Sequence, residues 1–218
     1  MNYFGRFSRT LCIGAIVALA TNLAVAAPQS GRAKVVQVVG KANIGSAAAA
    51  SGTEIGAGSV VTTGPGSEVS LNLGAAGLLN LHEVTTFSID ELSSNVSGPE
   101  ALVSAKSTLK SGKVDAKVGH LSSSSKYSVQ TAVNTIKTLG ATFTAYSTGA
   151  VLVWDGCVDV VTKDAKYSVC AGQMYDPSSN AVTSIPSGLG APRFAGGVGS
   201  APPAAIGNQV FVSPVGGK

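Results

Sequence analysis

VLVWDGCVDVV, residues 151–161, is the stretch whose reading decides the fold. Its valines and Leu152 alternate loosely with polar residues, in the period-two pattern of a β-strand. The middle breaks that pattern with the only tryptophan, Trp154, followed by Asp155-Gly156 and Cys157. Three readings compete: a reactive cysteine beside an acid, a redox or metal site, or a bent strand carrying a structural staple. The residues that follow bear on the choice. VDVVTKDAKYSV separates Cys157 from Cys170 and reads as two strands about Lys163-Asp164. If those two residues form the turn, Thr162 faces Ala165, Val158 faces Val169, and Cys157 lies opposite Cys170. A cross-strand pair sets Cβ atoms about 4.5–5.5 Å apart, slightly wide of the disulfide range, and a modest twist closes the gap. A four-residue loop over Lys163–Lys166 is the alternative and sets the cysteines diagonally.

The compartment follows from the other end of the chain. MNYFGRFSR carries Arg6 and Arg9 and no acid, an apolar run follows from Leu11 to Ala20, and Ala24-Val25-Ala26 supplies small residues. This is the layout of a secretory signal peptide over residues 1–26, with residues 27–33 as a short linker. The run is short of the roughly 20 apolar residues of a membrane-spanning helix, so no transmembrane segment is expected after cleavage. A retained anchor is the alternative. Cys12 leaves with the signal, and the two remaining cysteines meet an oxidising compartment, periplasm, cell surface or exterior, where a disulfide persists.

Export also changes the charge. The full chain has 15 Lys+Arg and 11 Asp+Glu, and losing Arg6 and Arg9 reduces the net charge from +4 to +2. Little then draws the protein to nucleic acid, and no such partner is expected. Charged residues are 12% of the chain and glycines number 27. That composition, rich in Val, Ser and Thr, predicts an all-β protein. Turn signals every 8–12 residues predict one compact domain of about ten to twelve short strands over 34–176: a sandwich, jelly roll or short β-solenoid. In the first strand Val36, Val38, Ala42 and Ile44 are the expected inward positions. A helical turn or two is expected within 97–108, from Ser97, Pro99 and Glu100. Residues 177–218 hold six of the nine prolines, eight glycines and only Arg193 and Lys218 as charges. They are expected to be a flexible tail, with Val210-Phe211-Val212 as an ordered patch.

Chemistry-bearing residues are few. His82 and His120 read as a strand-end and a loop histidine, and no nucleophile-elbow, zinc, calcium or phosphate-loop pattern occurs. No catalytic residue, cofactor or metal is expected. Lys106, Lys110, Lys113, Lys117 and Lys126 form a basic stretch opposed by Asp115; they read as a solvated strand face, or as a surface for acidic polysaccharide or protein. Tyr127, Phe143, Tyr146, Trp154, Tyr167 and Tyr175 are expected to pack the core.

The glycine steps resemble a known pattern. Val39-Gly40, Gly58-Ser59-Val60-Val61-Thr62-Thr63-Gly64, Leu109-Lys110-Ser111-Gly112-Lys113-Val114, Gly140-Ala141-Thr142-Phe143, Val153-Trp154-Asp155-Gly156-Cys157-Val158-Asp159-Val160 and Ala171-Gly172-Gln173 occur in order. Together, across residues 34–175, they resemble the exported sensory and regulatory FecR domain. Gly40, Gly64, Gly112, Gly140, Gly156 and Gly172 are the glycines of that pattern. Departures are Gly74-Ala75-Ala76-Gly77 in place of an Asp-Gly turn, Ala132 where proline is common, and Ala141 for a threonine. The resemblance implies a periplasmic or surface domain that binds or senses partners, often linked to sigma-factor control of iron uptake. Ten residues precede the apolar run, so the cytoplasmic anti-sigma segment of a full regulator is expected to be lacking. The expected function is a non-catalytic binding or sensory module of the cell envelope, with a protein or glycan partner. A structural surface or matrix protein is the first alternative. A carbohydrate-active enzyme using Glu83, Asp90 and Glu91 is the second; it needs paired carboxylates roughly 5–10 Å apart.

Overall fold

A computed structural model describes residues 29–95 and 102–195; the expected signal peptide and the 210–212 patch lie outside them. In chain order the strands are β1 (Gln29–Ser30), β2 (Ala33–Val39), β3 (Ala42–Ile44), β4 (Ala47–Ala48), β5 (Glu54–Ile55) and β6 (Ser59–Thr63). Next come β7 (Glu68–Asn72), β8 (Leu78–Leu81), β9 (Thr86–Asn95), β10 (Leu102–Ser111), β11 (Lys113–Val118) and β12 (Lys126–Gln130). The last are β13 (Thr135–Lys137), β14 (Ala141–Tyr146), β15 (Val151–Val161), β16 (Lys166–Cys170), β17 (Gln173–Asp176) and β18 (Ala181–Ser184). The fold is all-β, with one short 3₁₀ turn at Gly74–Ala76. Strands exceed the expected ten to twelve because β1, β4 and β5 have two residues each and long runs divide at corners.

The pairings build two layers. One runs β4-β3-β6-β9-β10-β12-β13-β15-β16. The other runs β5-β2-β7-β8-β11-β14-β15-β17-β18. Only β15 belongs to both, so the described strands form one continuous sheet folded back on itself. The outer strands β4, β16, β5 and β18 do not pair with one another, and the sheet is not closed into a barrel. Neighbouring strands in these two orders are antiparallel except β10 and β12, which are parallel because β11 crosses to the other layer between them.

The stretch 151–161 is thus the strand that changes layer. Val151 to Gly156 pairs with β14 in the second layer, and Cys157 to Val161 pairs with β16 in the first. The change occurs at Gly156, where φ is +73°, just after the register with β14 shifts around Trp154, between Val153 and Asp155. A Cβ there would stand 2.5 Å from the Gly140 carbonyl oxygen and 3.0 Å from Ala141 Cα. Gly112 does the same between β10 and β11: φ is +83°, and a Cβ would meet Thr85 Cα at 2.6 Å. All six glycines of the sequence pattern lie at points where the chain passes between layers: after β2, β6, β10, β13 and β16, and inside β15.

Each corner breaks the ladder, and buried hydroxyls take up the freed backbone groups. Ser67 Oγ accepts from Lys41 N (2.8 Å), Thr85 Oγ1 from Lys113 N (3.1 Å), and Thr138 Oγ1 from Gly140 N (3.0 Å) while donating to the Cys157 carbonyl (2.9 Å). Among the described residues no buried side-chain polar atom lacks a partner.

Between the layers lie Leu71, Leu79, Leu81 and Phe143 from one side and Phe87, Ile89, Leu109 and Ile136 from the other, each essentially inaccessible. Each such side chain contributes about 1.5–3 kcal/mol on burial. In β2 Ala33 and Val35 are buried and Val38 packs against the core, as do Ala42 and Ile44 beyond it, but Val36 does not, because a bulge between Val35 and Gln37 flips the alternation. The expected helical turns are also corrected: residues 102–108 are strand, where alternating Val103, Ala105 and Ser107 face the core. The helical reading rested on the capping pattern at 97–100, which lies outside the described residues.

Composition ended the folded domain at Asp176, but the sheet continues. Asp176 accepts from Ser178 N (2.9 Å) and from the Ser178 and Ser179 hydroxyls, turning the chain so that β18 pairs with β17. Beyond β18 a strap runs to residue 195. Asn80 Nδ2 donates to the Arg193 carbonyl at 2.6 Å. From β18 to β8 is five strand spacings, about 24 Å, and the nine residues from Ser184 to Arg193 reach at most about 30 Å. The strap must therefore cross the outward face of the second layer nearly directly.

Candidate functional site

That outward face carries a row set by register: Ser70, Asn80, Asp115, Thr144, Leu152 and Met174 lie side by side on six strands. The first five are buried although they face away from the core. Burying a carboxylate is costly unless it is hydrogen-bonded, and both oxygens of Asp115 are used. His82 Nε2 meets Oδ2 at 2.6 Å, and Thr144 Oγ1 donates to Oδ1 at 2.6 Å. Trp154 Nε1 donates in turn to Thr144 Oγ1 at 3.0 Å. Trp154 and Tyr146 therefore stand half-buried on this face and are not core residues, whereas Tyr127, Phe143 and Tyr175 are. Tyr167 is half-buried, its ring 4.9 Å from that of Tyr175.

The chain of bonds fixes His82, whose side chain is 27% exposed, at the wall of a groove of about 590 Å³. Val39, Glu68, Glu83, Lys113 and Tyr146 are among the other residues that line it. Glu83 accepts from Gly66 N at 2.7 Å, tying the β8–β9 corner to the β6–β7 corner. Tyr146 has its hydroxyl pKa raised, first by burial and then by the nearby negative charge of Asp115. Strain is concentrated at this corner. Val84 holds φ at +52°, a conformation costing a β-branched residue of order 1–3 kcal/mol. Residues 82–85, which make this layer crossing, contain no glycine.

The remaining sequence candidates are dispersed. His120 lies in an exposed loop. Asp90 accepts from Ser88 (2.7 Å) and Thr108 (2.6 Å), and Glu91 from Ser104 (2.6 Å), on the outward face of the first layer. Glu83 stands at the turn before β9, whereas Asp90 and Glu91 are the fifth and sixth residues of that strand. The basic stretch is also divided. The Gly112 corner leaves Lys106, Lys110 and Lys126 on the first layer and sends Lys113 and Lys117 to the second. Cys157 and Cys170 are paired in register and bridged, with Cα atoms 4.1 Å apart. Thr162 N bonds the Ala165 carbonyl, so alternation makes 157/170 a non-hydrogen-bonded pair, the type with closer side chains. Among the described residues no three His, Cys, Asp or Glu gather as a metal site, and no helix is long and apolar enough to cross a membrane.

Sequence reasoning missed Asp115, Thr144 and Trp154 as partners of His82. Their only signal is a polar residue at an outward position of each strand, and the rows joining them exist only once registers are known.

No family model matches the chain, and no curated protein is recovered as a match. Two solved structures of a proposed anti-sigma factor from Parabacteroides distasonis ATCC 8503, at 2.50 and 1.65 Å resolution, are similar at 13% and 14% identity. Each has a TM-score of 0.46, and the match covers 58% of this chain and 58% of that one.

Proposed function

We propose that the chain is an exported, non-catalytic FecR-like module of the cell envelope that binds or senses a partner in the groove beside His82 and Tyr146. The observation that carries this reading is the bonding of Asp115. Both of its oxygens are engaged in orienting His82 and Thr144, so the acid serves to build a fixed, partly buried wall to an open groove. Fixed polar groups around apolar Val39 and Tyr146 suit recognition. Charges of both signs at Glu68, Glu83 and Lys113 favour a protein partner over a glycan. Support for the FecR likeness is the placement of its six glycines at the layer crossings, since a fold signature belongs where the backbone is most constrained. Export is supported by the charged, apolar and small-residue order of residues 1–26 and by a cysteine pair suited to an oxidising compartment.

The test is affinity capture from envelope fractions with the exported chain and with a Val39→Asp/Tyr146→Ala double variant, both checked for unchanged thermal unfolding. A partner held by the native chain and lost by the variant is expected. Equal retention by the variant, or glycan cleavage that disappears in His82→Ala, would overturn the proposal.

A further inference from the structure

The outward face of the first layer carries a second concavity, of about 520 Å³, within the usual range for small-ligand sites. Lys126, Ser128, Lys137, Leu139, Cys157 and Asp159 are among the residues lining it. Its electrostatics are one-sided. Lys137 lies opposite Ser128 on one strand and Asp159 on the other, and Lys106 lies opposite Ser128 from β10. Asp159 is already held by Lys166 at 2.9 Å. Glu91, opposite Lys106, accepts from Ser104. Lys126 and Lys137 are exposed, and neither ammonium has an ion-pair partner among the described residues. Beneath them the surface is apolar, for Leu139 is 42% exposed and the Cys157–Cys170 bridge reaches the surface beside it.

Two unpaired ammonium groups above an apolar floor, with a hydroxyl and a carboxylate at the side, match one ligand chemistry. We propose that this concavity binds an acidic saccharide, a sugar bearing a carboxylate. The carboxylate sits between Lys126 and Lys137. An apolar C–H face of the ring covers Leu139 and the disulfide, and ring hydroxyls meet Ser128 and Asp159. The site lies on the opposite layer from the His82 groove and does not rest on the reading of that groove.

The probe is a short oligogalacturonate, titrated calorimetrically into the exported chain at low and physiological salt. Its methyl-esterified form and a glutamate-rich peptide serve as comparators. Binding that weakens with salt is expected, with at least a tenfold loss for the methyl ester and for Lys126→Gln/Lys137→Gln. Substituting Lys34 and Lys41, which lie away from the concavity, should leave affinity unchanged. Both lysines of the test pair are exposed, so the variant should fold normally, and its unfolding midpoint serves as the check. Absence of oligogalacturonate binding, equal binding of the ester, stronger binding of the peptide, or an unaffected double variant would each overturn the proposal.

Discussion

Replacing Gly156 by alanine tests whether the layer change in β15 is enforced by backbone approach, and Gly172 provides the matched control. Both glycines hold nearly the same φ, +73° and +80°. An alanine at either position takes on the left-handed cost of about 1–2 kcal/mol, and both gain the same reduction in unfolded-chain entropy. Their surroundings differ. At Gly172 a Cβ meets nothing within 4 Å, whereas at Gly156 it meets Gly140 O at 2.5 Å and Ala141 Cα at 3.0 Å. These are backbone atoms of the neighbouring strand and cannot rotate aside. Overpacking of this kind costs about 1–3 kcal/mol, so Gly156→Ala should be less stable than Gly172→Ala by about that amount. With a guanidinium slope of roughly 4 kcal/mol/M, a 2 kcal/mol gap separates the two unfolding midpoints by about 0.5 M. Denaturant unfolding of both oxidised variants, followed by tryptophan fluorescence, measures it. Midpoints that coincide, with equal slopes, would refute the close-approach argument and leave φ alone as the reason for glycine.

Relief of strain at the other kind of corner should run in the opposite sense: Val84→Asn is expected to raise stability by up to about 1 kcal/mol, read from the same unfolding curves. Alkylation of the exported protein should label neither Cys157 nor Cys170 before reduction and both after it, by intact mass. Reduction should cost no more than about 3 kcal/mol, the loop-closure value for a separation of 13 residues. Tyr146 should titrate above the ordinary tyrosine value of about 10. Because the fold favours its protonated form, the associated stability is intact below pH 10 and is lost as pH rises through the raised folded value. Absorbance titration near 295 nm should lose this late-ionising group in Tyr146→Phe, while in Asp115→Asn the group should ionise earlier. Asn80→Ala removes the donor to Arg193 O and should cost about 1 kcal/mol, with faster proteolytic cleavage between residues 185 and 192; an unchanged cleavage rate would argue against the strap being held there.

The hairpin at Cys157 and Cys170 was legible because a two-residue turn and strict alternation leave a single register, the one the strands have. Leu79, Leu81, Phe87 and Ile89 were legible for the same reason. Alternation fails where a bulge changes parity, which is why Val35 and not Val36 is buried. It also cannot tell which layer a strand joins. Lys110 and Lys113 are three residues apart yet face opposite sides of the molecule, because Gly112 lies between them. The His82 site was hidden more deeply, since its members come from the corner after β8 and from β11, β14 and β15, and only the strand registers bring them together. The strap is recognised by no apolar pattern; what holds it is a main-chain carbonyl, which every residue possesses.

That strap imposes an order of events. Synthesis runs from the N-terminus, so β8, β11, β14 and β15 are all made before Arg193 exists to accept from Asn80. Until then Ser70 and Asn80, which share a concavity with Arg193 and Phe194, stand without that neighbour on the outward face of the second layer. The domain is finished by nearly its last described residues, and a fragment ending at Asp176 would preserve that unfinished state.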